Sequence, residues 1–178
     1  MPSINRRRFL QFGAATAVAA SATACSSNEP TSSIDKRLPL GPYGADATAE
    51  EVTEGLDLSG KTAIVTGCNS GIGYETMRVL ALRGAHVIGT GRTIEKASAA
   101  CASVTGKTTP VALELSDFQS AVDCANSIKA MNTQIDIVVC NAGHNTVGEV
   151  ELNGCMERII SVKPVGHLDL VNDLLPTL

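Results

Sequence analysis

At 178 residues, with 44% hydrophobic and 18% charged side chains, the chain has the length of one domain and the composition of a folded globular protein. Its formal net charge is −4 and no basic cluster follows Arg8, which excludes the Lys/Arg footprint of a nucleic-acid-binding surface. No apolar run reaches the length of about 18 residues that a membrane-spanning helix needs.

Residues 1–25 predict an export signal rather than part of a fold. Arg6-Arg7-Arg8-Phe9-Leu10 precedes an apolar stretch that ends in the small residues Ala22-Thr23-Ala24. Paired arginines followed by x-Phe-Leu, here Arg6-Arg7 followed by Arg8-Phe9-Leu10, resemble the twin-arginine type of signal. We therefore expect an exported chain, either free in the periplasm or anchored there through a lipid on Cys25, although lipoprotein signals usually have Leu where Ala22 stands. The alternative is an organelle transit peptide.

Beyond the signal, a polar segment precedes a series of alternating β-type and helix-type segments. Residues 26–55 are rich in Ser, Thr, Pro, Gly and Ala without a sustained period, which indicates a tether or an arm lying on the next domain. We then predict strands over 61–66, 86–90, 110–115 and 135–140, and helices over 71–83, over 93–103 and from a cap at Ser116 or Asp117 onward. A looser, partly helical tail runs to residue 178.

The third helix and the fourth strand have the clearest burial patterns. The helix carries apolar residues at helical spacing, namely Phe118, Ala121, Val122, Ala125 and Ile128. The strand, residues 135–140, is a nearly continuous apolar run of the kind that is buried on both faces.

The alternation predicts an α/β fold, a three-layer Rossmann arrangement with a doubly wound parallel sheet in the strand order 3-2-1-4. We expect the fold to be incomplete after the fourth strand and the helix that follows it. The fourth strand would then be an apolar edge. Since such edges pair with other chains, we expect self-association through this strand.

The turn between the first strand and the first helix, Thr66-Gly67-Cys68-Asn69-Ser70-Gly71-Ile72-Gly73, predicts a phosphate-binding site. Glycines permit a tight turn and let backbone N–H groups approach a pyrophosphate without a Cβ in the way. The helix N-terminus adds unpaired donors and the positive end of a dipole. The alternative is an ordinary strand-to-helix turn.

Together with Asn141-Ala142-Gly143 after the fourth strand, this turn resembles the two hallmark motifs of the short-chain dehydrogenase/reductase family. The stretch over residues 48–61 further resembles the retinol-dehydrogenase-like and WW-domain-oxidoreductase-like branch. The resemblance covers about residues 41–178. It implies a nucleotide-binding Rossmann domain over 56–178 and an oxidoreductase that transfers hydride between alcohols and carbonyls with NAD(P).

The resemblance also implies the residues that would bind the cofactor. Around the pyrophosphate and the adjacent ribose these are Gly67, Asn69, Ser70, Gly71, Ile72 and Gly73. Asn141, Ala142 and Gly143 would line the central cleft. Glu114-Leu115 occupies the place of the family's Asp–aliphatic pair beside the adenine ring; the alternative for Glu114 is a solvated carboxylate at a strand end.

The end of the second strand favours NADP(H) over NAD(H). NAD enzymes of this fold place a carboxylate there for the ribose 2′-OH, whereas a nearby Arg accommodates a 2′-phosphate. The chain has Thr90-Gly91-Arg92-Thr93, with no acid and with a guanidinium whose planar fork suits phosphate. The alternative is that Arg92 is a solvated loop charge.

We predict no catalytic residue in this chain. The resemblance implies that hydride transfer needs an Asn, a Ser and a Tyr-x-x-x-Lys motif, and that motif does not occur here. Lys163 stands where the family's Asn belongs, and Pro164 is unfavourable inside a helix. We expect the chain to be the amino-terminal part of such an enzyme, without its catalytic half. The alternative is a non-catalytic nucleotide-binding remnant or an interaction protein.

For the remaining cysteines and for His144, the sequence predicts structural or solvent-exposed roles rather than metal binding or catalysis. The cysteines lack the close spacing of metal ligands, so we predict no metal site. Cys68 and Cys140 follow neighbouring strands and are expected to be two buried thiols, with a redox pair as the alternative. His144 is expected to be a solvated loop residue rather than a base.

Overall fold

The computed structural model describes residues 41–143, 152–153 and 156–178. The chain divides into two compact units, Met1–Pro42 and Tyr43–Leu178, and every helix and strand below belongs to the second. The predicted export signal, Cys25 and His144 lie outside the described residues.

The sheet has four parallel strands in the predicted order, β3-β2-β1-β4. They are β1 (Thr62–Val65), β2 (His86–Gly91), β3 (Thr108–Ala112) and β4 (Ile137–Val139). β1 lies between two neighbours and is buried along its whole length, as a continuous apolar run in a parallel sheet should be. Val65 pairs with Gly89 on one side and with Val139 on the other, so the carboxyl ends of these strands lie at one edge of the sheet.

Two strands differ from their predicted bounds. β3 ends at Ala112, so residues 113–115 leave the regular ladder and continue beyond the strand ends. β4 is shorter than predicted and half-buried, where burial on both faces was predicted. The reason is its position, because among the described strands β4 pairs only with β1 and forms an edge of the sheet.

Helices cover both faces of the sheet, which confirms the three-layer architecture. They are α1 (Ala49–Val52), α2 (Gly71–Leu82), α3 (Ile94–Ala102), α4 (Phe118–Lys129), α5 (Arg158–Ile160) and α6 (His167–Leu174). One core cluster joins α2 and α3 to the sheet around Met77 and Val87. The other joins α4 and α6 to it around Ile64 and Leu170. None of these described helices is long and apolar enough to cross a membrane.

α4 begins as predicted, and its buried face includes only some of its apolar residues. Its cap is Asp117, whose Oδ1 accepts a hydrogen bond from the Gln119 N–H at 3.0 Å. Its buried residues are Ala121, Cys124, Ala125 and Ile128. The apolar residues at helical spacing thus include two that are not buried: Phe118 lies at the exposed start of the helix, and Val122 is 37% exposed.

Part of the predicted tether is a short helix held on α2. Thr48 and Glu51 form a capping box at the start of α1. Arg78 Nη1 donates to Glu50 Oε1 at 2.6 Å, and Arg83 Nη2 donates to the Glu50 carbonyl oxygen at 2.6 Å. The short helix Ala49–Val52 is therefore held on α2 by these two arginines.

The tail is more regular than predicted. Leu152–Asn153 (β5) and Met156–Glu157 (β6) form a small antiparallel pair, and helical structure then continues from α5 to Thr177. Between α5 and α6 the chain forms a π-helical segment, Ser161–Gly166, that contains Pro164. Proline has no N–H to donate in any helix, and in an α-helix its ring clashes with the carbonyl group of residue i−4. The wider π-helical turns accommodate Pro164, so the helix continues past it, contrary to what its residue type alone suggests.

Candidate functional site

A cavity of about 320 Å³ opens at the carboxyl ends of the strands. In an open parallel sheet this is where ligands bind, beside the point where the strand order reverses between β1 and β4. The cavity is lined by Gly67, Asn69, Ser70, Gly91, Arg92, Leu113, Glu114, Leu115, Asn141, Ala142, Gly143, Arg158 and Val162.

The structure brings together nine of the twelve predicted cofactor-binding residues on the wall of this cavity. The three others, Gly71, Ile72 and Gly73, are not lining residues. Gly71 and Ile72 lie at the exposed start of α2, where Ile72 is 80% exposed, and Gly73 is buried behind the turn.

Gly67 and Gly73 allow the turn after β1 to pack against the Asn141–Gly143 turn. Gly67 has a φ of +69°, and a Cβ on it would lie 3.0 Å from Ala142 Cα. A Cβ on Gly73 would lie 2.3 Å from both Asn141 Nδ2 and the Gly67 carbonyl oxygen. Asn141 Nδ2 in turn donates to the Thr66 carbonyl oxygen at 2.9 Å. The two turns therefore form one cradle in which no side chain fits between them.

The start of α2 has the features of an anion site. Its N-cap residue, Ser70, lines the cavity but makes no capping hydrogen bond with its side chain, and the first turn contains no acidic residue. The helix N-terminus thus offers its N–H groups and its positive dipole end to a ligand. The glycine cradle and this helix start fit a pyrophosphate group.

A buried hydrogen-bond chain fixes the carboxyl ends of β1 and β4 to the tail. Thr66 Oγ1 accepts from the Ala142 N–H at 2.9 Å and lies 2.8 Å from His167 Nε2. His167 Nδ1 lies 2.7 Å from the Lys163 carbonyl oxygen. Because a carbonyl oxygen only accepts, Nδ1 carries the proton and Nε2 accepts from the Thr66 hydroxyl.

Charged side chains from three separate segments meet in the cavity. Arg92 follows β2, Glu114 follows β3, and Arg158 begins α5. Burial disfavours ionisation of Glu114, but hydrogen bonds from Ser116 and the charges of Arg92 and Arg158 outweigh it, so the pKa of Glu114 lies below its ordinary value. At neutral pH the cavity is thus lined by one carboxylate and two guanidinium groups.

Lys163 lies against the Asn141–Gly143 turn. A Cβ on Gly143 would lie 2.9 Å from Lys163 Cε and 3.8 Å from its Nζ. Because Gly143 has no side chain, the aliphatic part of Lys163 can pack against it beside the cavity.

Sequence reasoning missed four lining residues, namely Gly91, Leu113, Arg158 and Val162. Gly91 and Leu113 are the immediate sequence neighbours of Arg92 and Glu114, so including the neighbours of each predicted residue would have found them. Arg158 and Val162 reach the cavity from the tail, and no local motif marks them.

The expectation for Cys68 and Cys140 holds for only one of them. Cys68 is buried, whereas Cys140 is exposed beyond the end of β4. The thiol beside Cys68 is that of Cys101, and this neighbour together with burial raises the pKa of Cys68. Within the described residues, no group of three or more His, Cys, Asp or Glu side chains is placed to hold a metal ion.

A four-stranded parallel sheet with a glycine cradle at the strand ends defines a Rossmann-like domain. Residues 61–178 match the family model described as short chain dehydrogenase, and the chain belongs to this family.

Relatives and solved structures agree with this assignment. The chain is 35% identical to the human WW domain-containing oxidoreductase over 134 residues, a match that covers 72% of this chain and 32% of that protein. It is 33% identical over 138 residues to the Brassica napus short-chain dehydrogenase TIC 32 A, chloroplastic, covering 75% of this chain and 43% of that one. The chain thus spans about a third to a half of the length of these relatives.

Among solved structures, a metagenomic short-chain oxidoreductase in complex with NADP matches with a TM-score of 0.58 and 29% identity, covering 67% of this chain and 57% of that one. An uncharacterised protein from Mycobacterium paratuberculosis matches with a TM-score of 0.62 and 34% identity, covering 69% of this chain and 44% of that one.

Proposed function

We propose that the cavity binds a nicotinamide dinucleotide, with NADP(H) favoured over NAD(H), as part of an oxidoreductase that transfers hydride between an alcohol and a carbonyl. One observation carries the proposal: the turn after β1, Arg92 and the Asn141–Gly143 turn all line the same cavity. The solved relative in complex with NADP supports the choice of cofactor class.

Each part of the cavity then has a task toward the cofactor, which supplies the hydride acceptor or donor. The N–H groups at the start of α2 hold the pyrophosphate, and the glycine cradle lets it approach the backbone. Arg92 pairs with the 2′-phosphate, while Glu114 and Leu115 lie beside the adenine. The Asn141–Gly143 turn lines the route toward the central cleft.

The second candidate is nucleotide binding without turnover by this chain. Hydride transfer to a carbonyl needs a group that delivers a proton, and the family's Tyr-x-x-x-Lys does not occur in this sequence. Lys163 lies at the position of the family's Asn, with its stem against Gly143. We expect the chain to bind the cofactor and to leave alcohols and carbonyls unreacted.

The test is to titrate the full chain with NADPH and with NADH by calorimetry and to follow nicotinamide absorbance in the presence of alcohols and carbonyls. Tighter binding of NADPH than of NADH supports the cofactor proposal. Turnover would favour the enzyme over the binding module, and binding of neither dinucleotide would contradict both.

We also propose export by the twin-arginine route, from the arginine pair before Phe9 and the apolar stretch after it. A reporter fused behind residues 1–40 should reach the periplasm, and replacing Arg6 and Arg7 with lysine should retain it in the cytoplasm. Labelling with a radioactive fatty acid tests the lipid anchor, and Cys25→Ser should abolish any label. Delivery to an organelle instead would contradict the export proposal.

A further inference from the structure

A phosphate bound by Arg92 would also experience the charge of Glu114, because both side chains line the same cavity. A carboxylate beside one guanidinium leaves no net charge at that end of the cavity. A 2′-phosphate carries close to two negative charges at neutral pH. On Coulombic grounds, Arg92 and Glu114 alone would give little preference for the phosphorylated cofactor.

The tail brings a second guanidinium to this end. We propose that Arg158 is a specificity-determining residue that, together with Arg92, binds the 2′-phosphate of NADP(H). The proposal rests on the proposed function, because it presumes that the cavity binds a nicotinamide dinucleotide. Among the described residues that line the cavity, Arg158 turns a neutral set of side chains into one with a net charge of +1.

Packing of the tail fixes Arg158 near Glu114. Val162, one turn further along, is buried and lines the cavity. A Cβ on Gly166 would lie 2.5 Å from the Leu115 carbonyl oxygen, so the π-helical segment is pressed directly onto the chain beside Glu114. Ser161 Oγ donates to the Arg158 carbonyl oxygen at 3.0 Å and closes the turn between them. The segment that carries Arg158 is therefore seated on the segment that carries Glu114.

Glu114 does not depend on either arginine for hydrogen bonding. Its Oε1 accepts from the Ser116 N–H at 3.1 Å and from the Ser116 hydroxyl at 2.7 Å. A guanidinium presents five donors in a planar fork that matches phosphate oxygens. The Glu114 carboxylate already accepts two hydrogen bonds from Ser116. The two guanidinium groups near it therefore match a phosphate better than they match that carboxylate.

The experiment compares full-length wild type with Arg158→Gln, Arg158→Lys and the control Lys107→Gln by calorimetric titration with NADPH, NADH and 2′,5′-ADP. Lys107 is exposed at the amino end of β3, so its replacement removes the same charge from the opposite edge of the sheet. We expect Arg158→Gln to weaken NADPH and 2′,5′-ADP about tenfold with NADH unchanged, and Arg158→Lys to lose less. Lys107→Gln should leave all three affinities unchanged.

Several outcomes would overturn the proposal. An Arg158→Gln variant that keeps the wild-type ratio of NADPH to NADH affinity, or that weakens both cofactors equally, shows that Arg158 does not read the 2′-phosphate. Either result leaves the proposed cofactor site intact. A wild-type chain that binds neither dinucleotide overturns the proposed function as well. Melting curves of each variant show whether it folds. If Arg158→Gln has a folding defect, the ratio of NADPH to NADH affinity of Arg158→Lys tests the proposal instead.

Discussion

Two buried threonines at neighbouring strand ends provide a sharp test of the hydrogen-bond chain beside the cavity. Thr66 Oγ1 joins the Ala142 N–H to His167, whereas Thr90 Oγ1 has no hydrogen-bond partner among the described residues. Both side chains are almost fully buried. Thr66→Val should lower the free energy of unfolding by about 1–3 kcal/mol, because it leaves a buried donor and a buried acceptor unpaired.

Thr90→Val serves as the matched control and should be neutral or slightly stabilising, since it removes a hydroxyl that no described residue satisfies. Urea denaturation of both variants measures the difference. Equal losses of stability in Thr66→Val and Thr90→Val would show that the hydrogen bonds from Ala142 through Thr66 to His167 do not stabilise the fold.

Gly73 is the glycine whose replacement should matter most. A Cβ there would lie 2.3 Å from Asn141 Nδ2 and from the Gly67 carbonyl oxygen, so Gly73→Ala must separate the two turns of the cradle. We expect a loss of stability of about 1–3 kcal/mol and weaker nucleotide binding, despite the better helix propensity of alanine. Gly44→Ala is the control, because a Cβ at Gly44 meets nothing within 4 Å. A Gly73→Ala variant that melts and binds like Gly44→Ala would contradict this account.

Arg92 should contribute to the cofactor preference from the end of β2, together with Arg158. Arg92→Asp places beside the cavity the carboxylate that NAD enzymes of this fold use for the ribose 2′-OH, and it removes the guanidinium. We expect the ratio of NADPH to NADH affinity to fall about tenfold to a hundredfold. Titration with both dinucleotides measures the ratio, and an unchanged ratio would assign Arg92 to the solvated loop after all.

The parts of the candidate site that could be predicted are those whose physics is local. The turn after β1 needs glycines because of its own backbone geometry, and Gly67 has a positive φ of the kind that its type suggests. Arg158 and Val162 reach the cavity only because the tail docks beside Leu115. No spacing in the sequence encodes that docking, so they could not be predicted.

At the scale of elements, Asp136 joins β1 to β4 at the amino ends of the strands. Its carboxylate accepts from Lys61 Nζ and from the Thr62 N–H, both at 2.8 Å. The hydrogen bond from Lys61, followed by that from Thr62, lowers the pKa of Asp136 below its ordinary value of 3.8. A carboxyl with a lowered pKa in the folded state stabilises the fold above its unfolded-state pKa and loses this effect as the pH falls through its folded-state pKa.

Asp136→Asn should therefore lower the melting temperature at pH 7, and the difference from wild type should disappear as the pH falls below the pKa of the folded state. Thermal melts across the acid range measure this. Asp46→Asn, in the exposed loop before α1, is the control for loss of a carboxylate. A difference that stays constant down to low pH would show that ionisation of Asp136 is not the cause.

The strands and helices differ in how well the sequence determines them. β1 and β2 fall within about a residue of their predicted bounds because each is a short β-type segment bounded by turn or helix signals. The half-burial of β4 depends on which strands lie beside it, which its own apolar run does not reveal. The π-helical segment around Pro164 depends on packing against Leu115, so residue type alone predicted a disruption.

At the scale of the whole molecule, the two edges of the sheet are not equivalent. β3 contains Pro110, which has no N–H to donate, and this blunts pairing with another chain. β4 consists of the apolar residues Ile137, Val138 and Val139 and pairs only with β1 among the described strands. β4 is therefore the edge at which a second copy would add a strand.

We expect the chain to self-associate through β4, against the modest repulsion of its net charge of −4. Sedimentation velocity should give a weight-average mass that rises with concentration, and the backbone amides of β4 should gain protection from hydrogen exchange over the same range. The amides of β3 serve as the internal control, because Pro110 makes that edge a poor template. A monomer at every concentration would rule out pairing at β4. A rise in mass with protection at β3 instead would assign the contact to the other edge.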